Sequence, residues 1–349
     1  MKPVRQVVIA GAGVTGLLTA VECALAGHRV TVLDRGAIPN PASSSFDHHR
    51  AIRAFAWGDP ATTRRKVAAR RRWLELETTL GARFYRRVGI VSAWPCAEAD
   101  AVLAEAAAAG LPVSAVEPEK LPHLGFPADS VGVLEADAGV LLAERVLSAA
   151  VKWLSAHPAV TLRPWSKVDS VHSGRIELDG GESLGADHIL IAAGPWTPDL
   201  ADLPAVLHRQ TMVYLRPPDD LVRWWENAPG GGRLGADGRA WLLPPGDGTL
   251  LKISSDAVCR EVESTDSAEE SQDPWLEKLL AASIVSDVDR YTVVATKSCH
   301  YLSDPDAGDA LLTRVGPAVW SRSACGGTGF TTAPLAARQF AETLTEEIA

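Results

Sequence analysis

The sequence predicts a two-lobed α/β (α+β) fold in which a Rossmann-like, dinucleotide-binding lobe is interleaved with a β-rich lobe. Three observations predict it. Gly11-Ala12-Gly13-Val14-Thr15-Gly16 follows a short β-branched run and opens an apolar helical stripe. A second short apolar run, over 186–194, stops on glycine in mid-chain. Between 205 and 295 the pattern is mostly β, with Gly- and Pro-rich turns at 228–232 and 244–248, before the last 50 residues return to strand, glycine-rich loop and helix. Nucleotide-binding signals at the start, middle and end imply a discontinuous first lobe (1–82, 130–200 and 296–349). The second, substrate-binding lobe then takes 83–129 and 201–295.

Residues 4–10 read as a buried parallel strand, short, β-branched and ended by glycine. Leu17, Leu18, Val21 and Leu25 give 14–26 a helical stripe, and 29–33 closes a βαβ unit. A polar loop (36–49) precedes a helix at 60–80. The basic run from Arg64 to Arg72 is interleaved with Val67, Ala68, Trp73 and Leu74 and with Glu75 and Glu77, which reads as a solvated helix face rather than a phosphate patch. Further helices are expected at 97–109 and 141–156, and strands at 159–163 and 174–178.

Bulk properties narrow the function. A chain of 349 residues can bury two cooperating cores. A formal net charge of −9 offers no global positive field for nucleic acid or an anionic membrane. Cysteines 23, 96, 259, 299 and 325 are scattered with no CxxC pair, so neither a disulfide framework nor a zinc site is expected. No apolar run approaches the roughly 18 residues of a membrane span, so a soluble cytoplasmic protein, monomeric or a small homo-oligomer, is expected. Arg outnumbers Lys by 26 to 8, a bias suggestive of a GC-rich bacterial source.

The glycine loop has a physical logic. Its glycines permit a tight turn, let backbone approach a pyrophosphate and bring helix close to strand, while the helix N-terminus supplies partial positive charge. Asp34, at the end of the second strand, is placed to bond ribose hydroxyls. The segment from Ser44 to Arg53 concentrates polar and cationic groups. Arg50 and Arg53, three apart, would share a face on a helical turn and meet an anion or an electron-rich ring. His48-His49 lacks a third metal ligand nearby and reads as a solvated or phosphate-contacting loop. Lys252 lies mid-strand among apolar neighbours, where either a solvent-facing position or a buried site is open.

These landmarks in order resemble the D-amino-acid-oxidase-like FAD oxidoreductases, most closely the monomeric sarcosine oxidase branch. They are the Gly11 loop with Asp34, Ser44…Arg50-x-x-Arg53, Glu135-x-x-x-Gly139-Val140 and Ala192-Ala193-Gly194-x-Trp196. Arg209-Gln210, Lys252, Lys297-x-Cys299-x-Tyr301-x-x-x-Pro305-Asp306 and Gly326-Gly327-Thr328-Gly329-Phe330 complete the series. The resemblance implies FAD held by Gly11, Gly13, Val14, Thr15, Gly16, Asp34 and Arg35. Ser44, Ser45, Arg50, Val168, Ala193, Gly194 and Trp196 join them, with Gly326, Gly327, Thr328, Gly329, Phe330 and Thr331 from the last loop. It further implies a thioether from Cys299 to the flavin 8α-methyl, with Cys325 left to packing. Lys252 and Arg50 become catalytic groups, Lys252 sitting near flavin N5 to promote reaction with O₂.

Departures from that branch bear on the substrate. Thr331 stands where the branch has a carboxylate-binding lysine, Trp241 where it has a tyrosine, Asp256 where it has a histidine, and Phe46 replaces another histidine. Arg53 is left to hold a carboxylate alone, and Trp241, with Trp224 or Trp225, offers an aromatic wall. The implied activity is oxidation of a C–N bond of a secondary or cyclic amine, or a bulky amino acid, to an imine, with O₂ reduced to H₂O₂. The alternatives are a flavin-dependent amine dehydrogenase using another acceptor, a non-catalytic FAD-binding subunit, and an NAD-dependent dehydrogenase, which would have no use for Cys299.

Overall fold

In the computed structural model, which describes residues 3–266, 271–304, 306, 310–322, 324 and 326–346, the chain opens as β1 (Gln6–Ala10), α1 (Val14–Leu25) and β2 (Arg29–Leu33). Pro305 and Cys325 lie outside the described residues. β1 and β2 pair in parallel from Gln6↔Arg29 to Ala10↔Leu33. Val7, Val8 and Ile9 are all buried because both faces of this sheet are covered. The mid-chain strand His188–Ile191 lies on the other side of β1, also in parallel. The sheet continues outward through Val319–Arg322 and Leu312–Gly316 on that side and through Val160–Arg163 beyond β2. Apolar residues of α1, the Ala143–Ala156 helix and the last helix, Gly329–Glu346, cover one face. A three-stranded antiparallel layer (Val168–His172, Arg175–Leu178, Ser183–Gly185) covers the other.

The 36–49 loop ends in β3 (His49–Ile52), which pairs antiparallel with Gly139–Leu142. Arg50 is therefore on extended chain, and the helical turn expected to align it with Arg53 does not form. Glycine at 139 admits the crossing, since a Cβ there would stand 2.0 Å from the Arg86 carbonyl oxygen. The helix expected at 60–80 is α2 (Pro60–Leu80), begun by Asp59 accepting the Thr62 N–H and ended at Gly81 with φ +62°. Its basic run is not simply solvated. Arg72 is buried, donating to Glu22 at 2.5 Å and Glu75 at 2.8 Å, and Arg70 reaches Glu135 at 3.1 Å.

The β-rich region forms a nine-stranded mixed sheet in which Val206–Arg216 pairs with Cys259–Glu261, Leu251–Ser255 and, along its whole length, Thr292–Ser303. Ala240–Leu243, Gly230–Leu234 and Ile90–Pro95 follow in order. Strand Ser130–Glu135, expected with the nucleotide-binding segments, pairs instead with Ile90–Pro95 and Val113–Val116 of this sheet. The two-residue side-chain period decides what each face does. Val213, Leu215, Ala240, Leu242, Leu251 and Ile253 point to one face and form a core with Leu221, Trp225 and Leu279. Met212, Trp241, Leu243, Lys252 and Cys299 have the opposite parity and face a cavity. Among the described residues, no helix is long and apolar enough to cross a membrane, and no group of His, Cys, Asp or Glu is disposed to hold a metal ion.

Candidate active site

The cavity, about 870 Å³, begins at the glycine loop and ends at the large sheet. Its nucleotide end is built by close approach. Gly11 has φ +109°, and a Cβ there would stand 2.3 Å from the Ala192 carbonyl oxygen; one at Gly16 would stand 1.9 Å from the Gly11 oxygen. Gly16 accordingly closes helix on strand and does not line the cavity, whereas Gly11, Gly13, Val14 and Thr15 do. The first turn of α1 carries no acidic residue. Ser45 Oγ accepts the Val14 N–H at 3.0 Å, joining the serine loop to the helix start.

Asp34 lines the cavity, and its carboxylate is already heavily used. Oδ2 accepts the Ala12 N–H at 2.9 Å, while Oδ1 accepts Gly36 N–H at 2.9 Å and Asn40 Nδ2 at 2.8 Å. One lone-pair direction on Oδ2 is left for a ribose hydroxyl, so this acid shapes the loop as much as it meets a ligand. Arg35 stacks on Trp196 with Cζ 3.9 Å from the ring centroid, and both line the wall with Val168, Ala193 and Gly194. Ser44 also lines the cavity and donates to the His300 carbonyl at 2.5 Å. Gly326, Gly327, Gly329, Phe330 and Thr331 line the cavity, but Thr328 does not; it lines a smaller neighbouring one. A cradle in which two glycines are obligatory, beside a helix N-terminus without an acid, fits the pyrophosphate of a dinucleotide.

At the far end Lys252 is 1% exposed. Its ammonium donates to Asp47 Oδ2 at 2.6 Å and to the His49 carbonyl at 3.1 Å. Burial and the nearby Arg50 cation lower its pKa to about 8, against the upward pull of Asp47. Asp47 also pairs with Arg50 Nη1 and accepts Tyr214 OH at 2.5 Å. Burial alone would raise its pKa; Lys252 and Arg50 outweigh that and hold the carboxyl ionised, well below the usual range. His49, expected in a solvated loop, is buried with Nε2 3.1 Å from the Pro244 carbonyl, and burial together with Lys252 pushes it down to about 3, leaving it neutral. Since a carbonyl can only accept, Nε2 carries the proton.

Cys299 lines the same end, in register with Gln210. Burial pushes its thiol up, while Arg50 and Lys252 pull it down. The thiol is thus not preformed as a thiolate, and Arg50 and Lys252, with a lesser pull from Lys297, are what favour its ionisation. Arg53 lines the cavity beside Gly232, its Nη1 only 3.4 Å from Ser92 Oγ, a long bond that leaves the guanidinium fork available. Arg53 is exposed to the open cavity, yet loss of water to the surrounding walls and the nearby Arg233 lower its pKa against the pull of Glu135 and Asp256, and it remains a cation. Trp241 pairs with Gly232 on one side and Ser254 on the other, so its indole stands between two small residues, with Lys252 Nζ 5.5 Å from its ring centroid.

Two expectations fail here. Trp225 is fully buried on the opposite face, donating to Tyr291 OH at 2.8 Å, and Trp224 packs edge-on to His123 on that side. Neither forms part of the aromatic wall. Two residues given no role are central. Asp47 carries three side-chain donors and the His48 N–H, and Tyr214 joins it to the large sheet; an Asp-x-x-Arg spacing beside the serines is the only sign in the sequence. Asp256 and Arg233 also line the cavity.

The parallel sheet, the glycine cradle and the interposed large sheet define a flavin-binding oxidoreductase architecture, and the chain belongs to the FAD dependent oxidoreductase family, which it matches over residues 6–343. Among curated proteins it is similar to human peroxisomal sarcosine oxidase, 26% identical over 210 residues that cover 57% of this chain and 53% of that protein. The mouse protein is 25% identical over 239 residues, covering 64% and 58%. The match thus spans little more than half the length of these relatives. In structure it is similar to NikD, an unusual amino acid oxidase essential for nikkomycin biosynthesis (TM-score 0.80, 20% identity, 98% of this chain and 95% of that one). It is also similar to Amadoriase I from Aspergillus fumigatus (TM-score 0.77, 17% identity, 98% and 87%).

Proposed function

We propose that the protein is an FAD-dependent oxidase of a C–N bond in a secondary or cyclic amine, or a bulky amino acid, with O₂ as acceptor. The observation that carries this is a buried lysine ammonium placed with a cysteine at the end of a cavity that starts at a dinucleotide cradle. Bound FAD supplies hydride acceptance from the carbon beside nitrogen and return of two electrons to O₂. The protein's own groups do the rest. Arg53, exposed on the cavity wall, binds a substrate carboxylate, a charge-assisted contact. Trp241 offers a flat apolar face between Gly232 and Ser254, which suits a ring or bulky side chain better than a small linear amine. Lys252, protonated, stabilises negative charge as it develops on O₂. No strong general base is required when the amine is neutral, and positioning and exclusion of water dominate.

Cys299 is the proposed attachment point of the cofactor through a thioether. Acid precipitation of purified protein tests it: yellow colour kept in the pellet supports the tether, and colour released entirely to the supernatant rejects it. An amine panel read by H₂O₂ tests the oxidase. Turnover only with an artificial electron acceptor would replace it by the dehydrogenase reading.

A further inference from the structure

Lys252 is mounted on Leu251–Ser255 of the large sheet, yet the group that holds its ammonium comes from the loop before β3, 205 residues away in sequence. Asp47 is itself 3% exposed and, besides the His48 N–H at 2.7 Å, serves three side-chain donors at once. These are Lys252 at 2.6 Å, Tyr214 OH at 2.5 Å from Val206–Arg216, and Arg50 Nη1. Lys252 and Tyr214 are direct cross-strand partners, so they approach the carboxylate from one sheet face. Arg50 approaches from β3, tied down by a 2.5 Å bond from Nη2 to the Ser44 carbonyl. A carboxylate with this many charge-assisted donors has a fixed orientation.

The geometry points to Asp47 as the positioning residue of the site: it holds the Lys252 ammonium charged and aimed into the cavity while separating it from the Arg50 cation. It acts through Lys252, and the inference rests on the role given to Lys252 above. Two cations side by side in a closed site repel, and burial disfavours both. The other ionisable or polar groups around Lys252 do not supply the missing negative charge. His49 is neutral, and Cys299 and Tyr214 are both pushed up toward their neutral forms by burial; Trp241 offers only its ring. Of Asp47, Cys299 and Tyr214, Asp47 is the one that is ionised.

The test is carbamylation of Lys252 by cyanate across a pH series, read by peptide mass spectrometry on purified flavoprotein. Cyanate is small enough for the cavity and reacts with the neutral amine. It reports protonation whether or not the protein makes H₂O₂, so this inference and the oxidase reading can fail separately. The wild-type midpoint is expected near pH 8. In Asp47→Asn it moves about 1 to 3 pH units lower, and Asp47→Glu, which keeps the charge, brings it most of the way back. An unchanged midpoint in folded Asp47→Asn overturns the inference. Should that variant not fold, Arg50→Gln carries the test: with one cation removed from the shared carboxylate, the Lys252 midpoint rises, and a midpoint that stays or falls overturns it.

Discussion

Replacing Lys252 by Met keeps an unbranched side chain one atom shorter and removes one charge. The strand stays intact, and Asp47 keeps its other donors, Arg50, Tyr214 and the His48 N–H. Lys252 Nζ lies 5.5 Å from the Trp241 ring centroid, too close for a ligand to pass between them, so a ligand meets the charge from the open cavity, at about 4 Å for a direct contact. There a unit charge is worth about 4 kcal/mol at an effective dielectric constant near 20. Only the part that grows as electrons reach O₂ speeds the step, so reoxidation should slow by about 10² to 10³-fold, the range found when one preorganised electrostatic group is removed. Stopped-flow mixing of reduced protein with O₂ measures it directly. The pH dependence carries an independent check. Lys252 is charged below about pH 8 and neutral above it, so the wild-type oxygen rate falls as pH rises through 8, whereas the variant's is flat there. Reduction by substrate should change far less. Equal oxygen rates in the two proteins, or a wild-type profile without a fall near pH 8, would refute the assignment.

Further outcomes follow from the same geometry. Cys299→Ser should still bind flavin but release it on acid precipitation, seen as a yellow supernatant. Gly16→Ala should destabilise by about 1 to 3 kcal/mol or more, since its Cβ meets the Gly11 oxygen at 1.9 Å; thermal unfolding and flavin content measure this, and an unchanged melting temperature with full flavin would reject the close-packing role. Arg53→Leu should raise KM for carboxylate-bearing amines by more than tenfold, a loss of about 1.5 to 3 kcal/mol for a hydrogen bond to a charge. Amines without a carboxylate should be little affected, so an equal effect on both classes would remove Arg53 from substrate recognition.

The local signals were the legible part. β1, α1, β2 and α2 follow from short-range periodicity and caps, and the Gly11 loop identifies its ligand class because its glycine spacing lies between a strand and a helix, even though Gly11 is required by the distant Ala192 carbonyl. Lys252 was legible as a charge in an apolar strand. What escaped depends on long-range pairing. The role of Asp47 is set by donors from Val206–Arg216 and Leu251–Ser255, which no local pattern reveals. Trp224 and Trp225 were assigned to the cavity by composition, but their segment packs against the reverse face of the sheet. β3 is four residues long, too short for its alternation to be told from the spacing of a helical turn.

Strand Val206–Arg216 holds Gln210 opposite Cys299 and Tyr214 opposite Lys252. Four residues along one strand are roughly 13 Å, so this single element works as a ruler between the proposed anchor and the proposed oxygen-facing charge. Slipping either neighbour by one residue would turn its functional side chain into the hydrophobic core. Trp241 and Gly232 lie on strands that do not pair with the ruler. Redesign can therefore reshape what the enzyme accepts at those two positions while the spacing between anchor and charge stays as built.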